Sequence, residues 1–107
     1  MEEKKVAYTF KVTKTYFTWF KKLPPSHADL VTSRLLDVAA GHFGVFEPIR
    51  GGIRELKFGS HGGIRVYYSI RNDNTVVLLL AGGKKDTQDA DIKKAIKLNK
   101  EFTDEAL

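Results

Sequence analysis

The chain has 107 residues, 42% of them apolar and 11% aromatic, enough for one hydrophobic core and too apolar for disorder over most of its length. It has no cysteine, which excludes a disulfide framework, Cys-based zinc sites and thiol catalysis. The net charge is +5, with residues 1–22 and 50–71 each carrying an excess of +4; a basic stripe of this kind suits a polyanion, nucleic acid before an acidic protein, against the plainer reading of a charge kept for solubility.

The charged start, Met1-Glu2-Glu3-Lys4-Lys5, leads into no signal-peptide core, and the longest aliphatic run, Val76 to Ala81, is a strand's length. The expectation is one soluble cytoplasmic domain over 1–107. Residues 6–12 alternate as a short strand with Val6, Tyr8, Phe10 and Val12 on one face. Tyr16, Trp19, Phe20 and Leu23 then follow helical spacing, and Pro24-Pro25 ends that helix. Ser26 and Asp29 read as a capping box opening a second helix, with Val31, Leu35 and Val38 as its apolar stripe and Gly41 as its stop.

Residues 42–52 are expected to form a loop. Three strands follow, about Ile53–Phe58, Ile64–Arg71 and Thr75–Ala81, joined by Gly59-Ser60-His61-Gly62-Gly63 and Asn72-Asp73-Asn74, whose glycines and asparagines accept positive φ. Such short links make the strands antiparallel. The third is apolar on both faces and should lie centrally under helices, broken by Gly82-Gly83. Asp86 or Thr87 can cap a last helix that buries Ile92, Ala95, Ile96 and Phe102. The order is β-α-α-β-β-β-α, an α+β fold with helices packed on an antiparallel sheet.

Period two sends Ile64, Val66, Tyr68 and Ile70 to the core and Arg65, Tyr67, Ser69 and Arg71 to the other face. In the preceding strand Leu56 and Phe58 go inward, Glu55 and Lys57 outward. The five-residue turn therefore brings Lys57 and Arg65 together on one open face with Tyr67 beside them, an arrangement fit for a phosphate backbone. The alternative is a face made polar because water covers it. Arg54 joins the binding candidates from the same basic segment. Lys84 and Lys85 follow a buried strand and precede a helix, a plausible phosphate contact that lacks the spacing of a P-loop. His27, His42 and His61 form no metal-ligand spacing, so neither metal nor cofactor is expected. His61, in the Gly-rich turn, can act as an acid or base near neutral pH.

The stretches 46–58 (FEPIRGGIRELKF), 63–68 (GIRVYY) and 76–92 (VVLLLAGGKKDTQDADI) resemble the RelE/ParE superfamily of toxins. The likeness is greater to its phage-derived Gp49/HigB-type branch, whose members are often labelled addiction-module killer proteins. It spans essentially residues 8–103, and the family's β-α-α-β-β-β-α order is the one read above from periodicity. The resemblance implies the toxin of a type II toxin–antitoxin pair. Many relatives cleave mRNA in the ribosomal A site without a metal, the 2′-OH attacking the adjacent phosphate to leave a 2′,3′-cyclic phosphate and a 5′-hydroxyl. Others inhibit DNA gyrase, and a degenerate member would bind only its antitoxin. The implied partners are a helix-turn-helix antitoxin of the HigA type, mRNA and the ribosome, with no membrane.

Carried over by position, the resemblance assigns catalytic roles to Lys57, Arg65, Lys85 and Asp91; Arg54, Tyr67, Lys84 and His61 stand beside them as the substrate-binding candidates. This sequence departs from RelE in two places. Glu55 stands where RelE has a second lysine, and Asp91 stands where RelE has a tyrosine. Glu55, Asp91 and His61 are then the rival candidates for proton transfer.

Overall fold

The protein's structure, a computed structural model, describes residues 7–72 and 74–102; Val6 of the expected first strand and Asp73 of the second turn lie outside them. The elements are β1 (Thr9–Val12), α1 (Lys14–Lys21), α2 (Pro25–Ala39), β2 (Phe46–Pro48), β3 (Arg54–Lys57), β4 (Arg65–Arg71), β5 (Val76–Gly83) and α3 (Gln88–Glu101), with short 3-10 turns at Arg50–Gly52 and Lys85–Thr87. The strands form one sheet in the order β1-β5-β4-β3-β2.

The expected α+β order is present, and β3, β4 and β5 are antiparallel. Their turns use the left-handed conformations the sequence promised: Gly62 and Gly63 have φ of 79° and 73°, and Asn72 and Asn74 have 51° and 66°, while His61 joins them at 57° without having been expected there. The sheet as a whole is mixed rather than antiparallel, because β1 pairs parallel to β5 from Thr9↔Val76 to Val12↔Leu79. The short-turn argument constrains only neighbouring strands, and β1 reaches β5 across the whole middle of the chain. Phe46–Pro48, expected in a loop, is a three-residue edge strand antiparallel to β3. Pro48 has no N–H to donate, so an edge is where it fits.

Several local expectations are overturned, the side-chain cap of α3 among them, since Thr87 stands at its N-cap without a capping hydrogen bond. The Ser26–Asp29 capping box does not form: Pro24 caps α2 without a side-chain hydrogen bond and Pro25 opens its first turn, where a missing N–H costs nothing. Thr13 is the side-chain cap the sequence reading overlooked. Its Oγ1 accepts from the Tyr16 N–H at 3.0 Å and donates to the Leu80 carbonyl at 2.6 Å, tying α1 to β5. Gly82-Gly83 also fails to break β5; Gly82 pairs with Val66 and Gly83 with Arg65. A Cβ at Gly82 would overlap the Trp19 indole, and one at Gly83 the Asp91 carboxylate. The two glycines stay in the strand because helices lie directly on them.

The sheet is covered on both faces. Tyr16, Val31, Val38, Leu56, Val66, Tyr68, Val77 and Leu79 pack beneath α1 and α2. Ile53, Tyr67, Leu78, Leu80 and Ala81 pack with Ile92 and Ala95 of α3 on the other side. A register shift between Tyr67 and Tyr68 lets the consecutive residues Leu80 and Ala81 both face α3. Val12, expected inside, is 47% exposed. Ser69 and Arg71, expected on an open face, instead bind the end of α3: Ser69 Oγ donates to Asn99 Oδ1 at 2.7 Å, and Arg71 Nη2 to the Asn99 carbonyl at 2.6 Å. None of the described helices is long and apolar enough to cross a membrane.

Candidate nucleic-acid interface

One end of the sheet gathers the basic residues. Lys57, at the end of β3, lies directly opposite Arg65, at the start of β4, and Arg65 lies opposite Gly83 of β5. The juxtaposition expected from the hairpin is therefore present. Arg34 of α2 fixes the backbone there, donating to the Lys57 carbonyl at 2.9 Å and the Val45 carbonyl at 2.6 Å, with its guanidinium 5.0 Å from the Phe58 ring centre. Across the sheet edge, Glu47 of β2 forms an ion pair with the Lys57 ammonium. The hydrogen bond from Lys57 and its charge hold the Glu47 carboxyl below the usual carboxylate range, with a further contribution from Arg65. Arg65 is half-buried, and its Nε is enclosed without a hydrogen-bond partner.

The first turn of α3 closes the same end. Gln88 Nε2 donates to Glu55 Oε2 at 2.7 Å, and Thr87 Oγ1 donates to Asp91 Oδ2 at 2.6 Å while the Asp91 carboxylate lies over Gly83. Glu55 and Tyr67, opposite each other on β3 and β4, are wholly buried here. The open face expected to display Tyr67 thus does not exist, because α3 covers it. Tyr67 cannot stack on a substrate, and Glu55 cannot reach one to move a proton. Burial first, and then the neighbouring Glu55 carboxylate, push the Tyr67 phenol well above its ordinary pKa. Glu55 Oε1 and Tyr67 Oη both lack a hydrogen-bond partner of good geometry.

The other expected residues divide. Arg54 sits on the opposite side of β3 from Lys57, its guanidinium 5.4 Å from the Phe46 ring centre and near the Tyr68 hydroxyl; it does not join the Lys57–Arg65 pair. Lys84 and Lys85 are exposed just past β5 and pack along the β3–β4 turn, Lys84 against Gly62 and Lys85 against Gly63. His61 projects from that turn with Nδ1 2.8 Å from Ser60 Oγ. Its ring meets His27 of α2 edge to face, with centroids 4.7 Å apart. Among the described residues no group of three or more His, Asp or Glu stands together as a metal site.

Sequence reasoning missed Arg34, Glu47, Gln88 and the partner of His61. Glu47 becomes legible only once Phe46–Pro48 is known to be a strand, and the other contacts join segments that no local pattern links.

The family model described as phage derived protein Gp49-like (DUF891) matches residues 18–100. The chain belongs to this Gp49-like family. A protein of Haemophilus influenzae described as uncharacterized is 40% identical over 94 residues, covering 86% of this chain and 93% of that protein. Among solved structures, a mutant of the E. coli toxin RelE in the free state superposes with a TM-score of 0.69 at 20% identity, covering 85% of this chain and 96% of that one. The Mycobacterium tuberculosis toxin–antitoxin complex RelBE2 contains a chain that superposes at 0.63 with 26% identity, covering 75% of this chain and 100% of that one. This Gp49-like chain therefore has the RelE toxin fold, and within it Lys57, Arg65, Lys84 and Lys85 lie together at one end of the sheet.

Proposed function

We propose that this Gp49-like protein is the toxin of a type II toxin–antitoxin pair and that it cleaves mRNA on the ribosome without a metal. The observation that carries the reading is the cross-strand pairing of Lys57 with Arg65 beside Lys84 and Lys85, on a fold shared with RelE. Support for an antitoxin partner comes from the RelE-like neighbours solved as toxin–antitoxin complexes; a helix-turn-helix protein of the HigA type is the expected form.

In the reaction the RNA 2′-oxygen forms a bond to phosphorus while the bond from phosphorus to the 5′-oxygen breaks. A base takes the 2′-OH proton and an acid protonates the departing 5′-oxygen. Arg65 and Lys57 stabilise the charge that builds on the phosphoryl oxygens, Lys57 exchanging Glu47 for phosphate. Lys85 adds positive charge from the rim. Asp91 and His61 remain for proton transfer, since Glu55 is buried. Asp91 sits over the strand end that faces Arg65, which favours it as the group nearest the reacting phosphate.

The test is expression without antitoxin, with translation followed and mRNA 5′ ends mapped. New 5′-hydroxyl ends that need translated message, and that disappear in Arg65→Ala, support the reading. Growth arrest with intact mRNA and inhibited gyrase would replace it with the gyrase-binding reading, and unimpaired growth with folded protein accumulating would leave an antitoxin-binding chain alone.

A further inference from the structure

We propose that His27, His61 and Lys84 form a second phosphate-binding subsite, which holds an RNA backbone phosphate next to the one gripped at Arg65. The proposal rests on the RNA-cleaving reading above.

Three separate segments deliver these side chains: the first turn of α2, the β3–β4 turn, and the residue after β5. The imidazoles meet edge to face at 4.7 Å. The Lys84 side chain folds onto the same turn, where a Cβ at Gly62 would lie 3.1 Å from Lys84 Cδ and 3.4 Å from Nζ. Among the described residues none of the three takes part in an ion pair. Bringing three basic groups together without a carboxylate costs free energy in the absence of an anion. The His27 ring records this: partial burial, then the charges of His61 and Lys84, hold its pKa below the ordinary value.

Two further features describe how the imidazoles are held. His27 Nδ1 is enclosed and has no hydrogen-bond partner, a state that buried polar atoms rarely keep unless something completes it. His61 holds φ of 57°, a left-handed conformation uncommon for a non-glycine residue, in a turn whose next two residues are glycines. That conformation puts an imidazole where glycine would be easier, and Ser60 holds its Nδ1, leaving Nε2 without a hydrogen bond from the described residues.

The chemistry selects the ligand. A metal cation is disfavoured by the Lys84 ammonium. A phosphate offers several acceptor oxygens to donors converging from three directions and carries the charge that the cluster lacks. No side chain caps α2, so its first-turn dipole adds to the attraction. The subsite is also contiguous with the Lys57–Arg65 pair: His61 belongs to the turn joining their strands, and Lys84 follows Gly83, the register partner of Arg65.

The experiment titrates the full chain with inorganic phosphate, sodium acetate and sodium chloride at matched ionic strength, following the His27 and His61 ring resonances by NMR. It then measures single-stranded RNA binding against salt for wild type, Arg65→Ala and the double variant His27→Gln/His61→Asn. Asparagine keeps the left-handed backbone accessible, and a native-like NMR spectrum checks the fold. The expected result is a saturable shift of both rings by phosphate alone, with a log K–log[salt] slope shallower by about 0.7 in the double variant, the value of one lost single-strand phosphate contact. An equal response to acetate would assign the cluster to a carboxylate and overturn the proposal. So would a phosphate response no larger than chloride's, or an unchanged slope in a variant that still binds RNA. Absence of RNA binding by the wild type overturns the RNA-cleaving reading instead, and the phosphate titration then judges the anion subsite on its own.

Discussion

Lys57 and Arg65 are cross-strand partners at one end of the sheet, yet they are held differently: Lys57 is ion-paired with Glu47, whereas Arg65 keeps its Nε enclosed and unpartnered. The pair is thus half neutralised at rest. Arg65 is the side that lacks a counterion within its own hydrogen-bond reach, which makes it the stronger attraction for an incoming phosphate.

Arg65→Ala should lower mRNA cleavage by about 10² or more, the scale of losing one preorganised electrostatic stabiliser. Arg65→Lys should recover part of it, because a point charge does not reproduce the two-pronged donor geometry of guanidinium on phosphate. Cleavage on programmed ribosomes, read beside a thermal melt, checks this. Full activity in a well-folded Arg65→Ala protein would remove the residue from the reaction.

Glu47→Gln should strengthen RNA binding while changing stability little. The ion pair it breaks lies at a half-exposed edge, where such pairs contribute about 0–1 kcal/mol. Removing the carboxylate frees Lys57 and takes a negative charge from beside Arg65. Filter binding at several salt concentrations would show the gain, and weaker binding would contradict it.

Gly83→Ala should destabilise the fold by about 1–3 kcal/mol, as for an added methyl group with no room, because its Cβ would overlap the Asp91 carboxylate. Activity should fall further than stability explains, since the Asp91 carboxylate must turn off the strand and give up its Thr87 hydrogen bond. Urea unfolding and cleavage measured on the same preparation separate the two effects.

Acid should weaken the protein through His27. Its pKa is lowered in the folded state, so the unfolded chain takes up a proton first. The stability held by the neutral ring is complete above the ordinary histidine pKa of about 6.5 and is lost as pH falls below it toward the folded value. Urea midpoints followed downward from neutral pH should decline less steeply in His27→Gln than in wild type. An identical decline would deny His27 that contribution.

Much of the fold was legible because it is written in local patterns. Tyr16, Trp19, Phe20 and Leu23 repeat at helical spacing, Asn72 and Asn74 mark a turn, and the hairpin lengths set Lys57 against Arg65. What stayed hidden depends on contacts between distant segments. Tyr67 follows the strand alternation correctly, but alternation does not say whether the second face meets water or α3. Gly82 and Gly83 look like a breaker in sequence and are strand residues in space, since only the approach of Trp19 and Asp91 explains them. At the candidate site the same division holds: the cationic pair came from one hairpin, whereas Glu47, Gln88 and the His27–His61 contact bridge separate elements.

The pairing of Thr9 with Val76 carries a consequence for how the chain comes into being. β5, an interior strand paired with β1 on one side and β4 on the other, is the last strand to be synthesised, and both neighbours depend on it. Non-local pairing of this sort delays ordering until the distant segment exists. A nascent chain that stops short of Val76 has no partner for β1, no Gly83 opposite Arg65 and no ammonium over the β3–β4 turn. Interrupted synthesis therefore releases fragments without the assembled cationic edge, which exists only when translation is nearly complete.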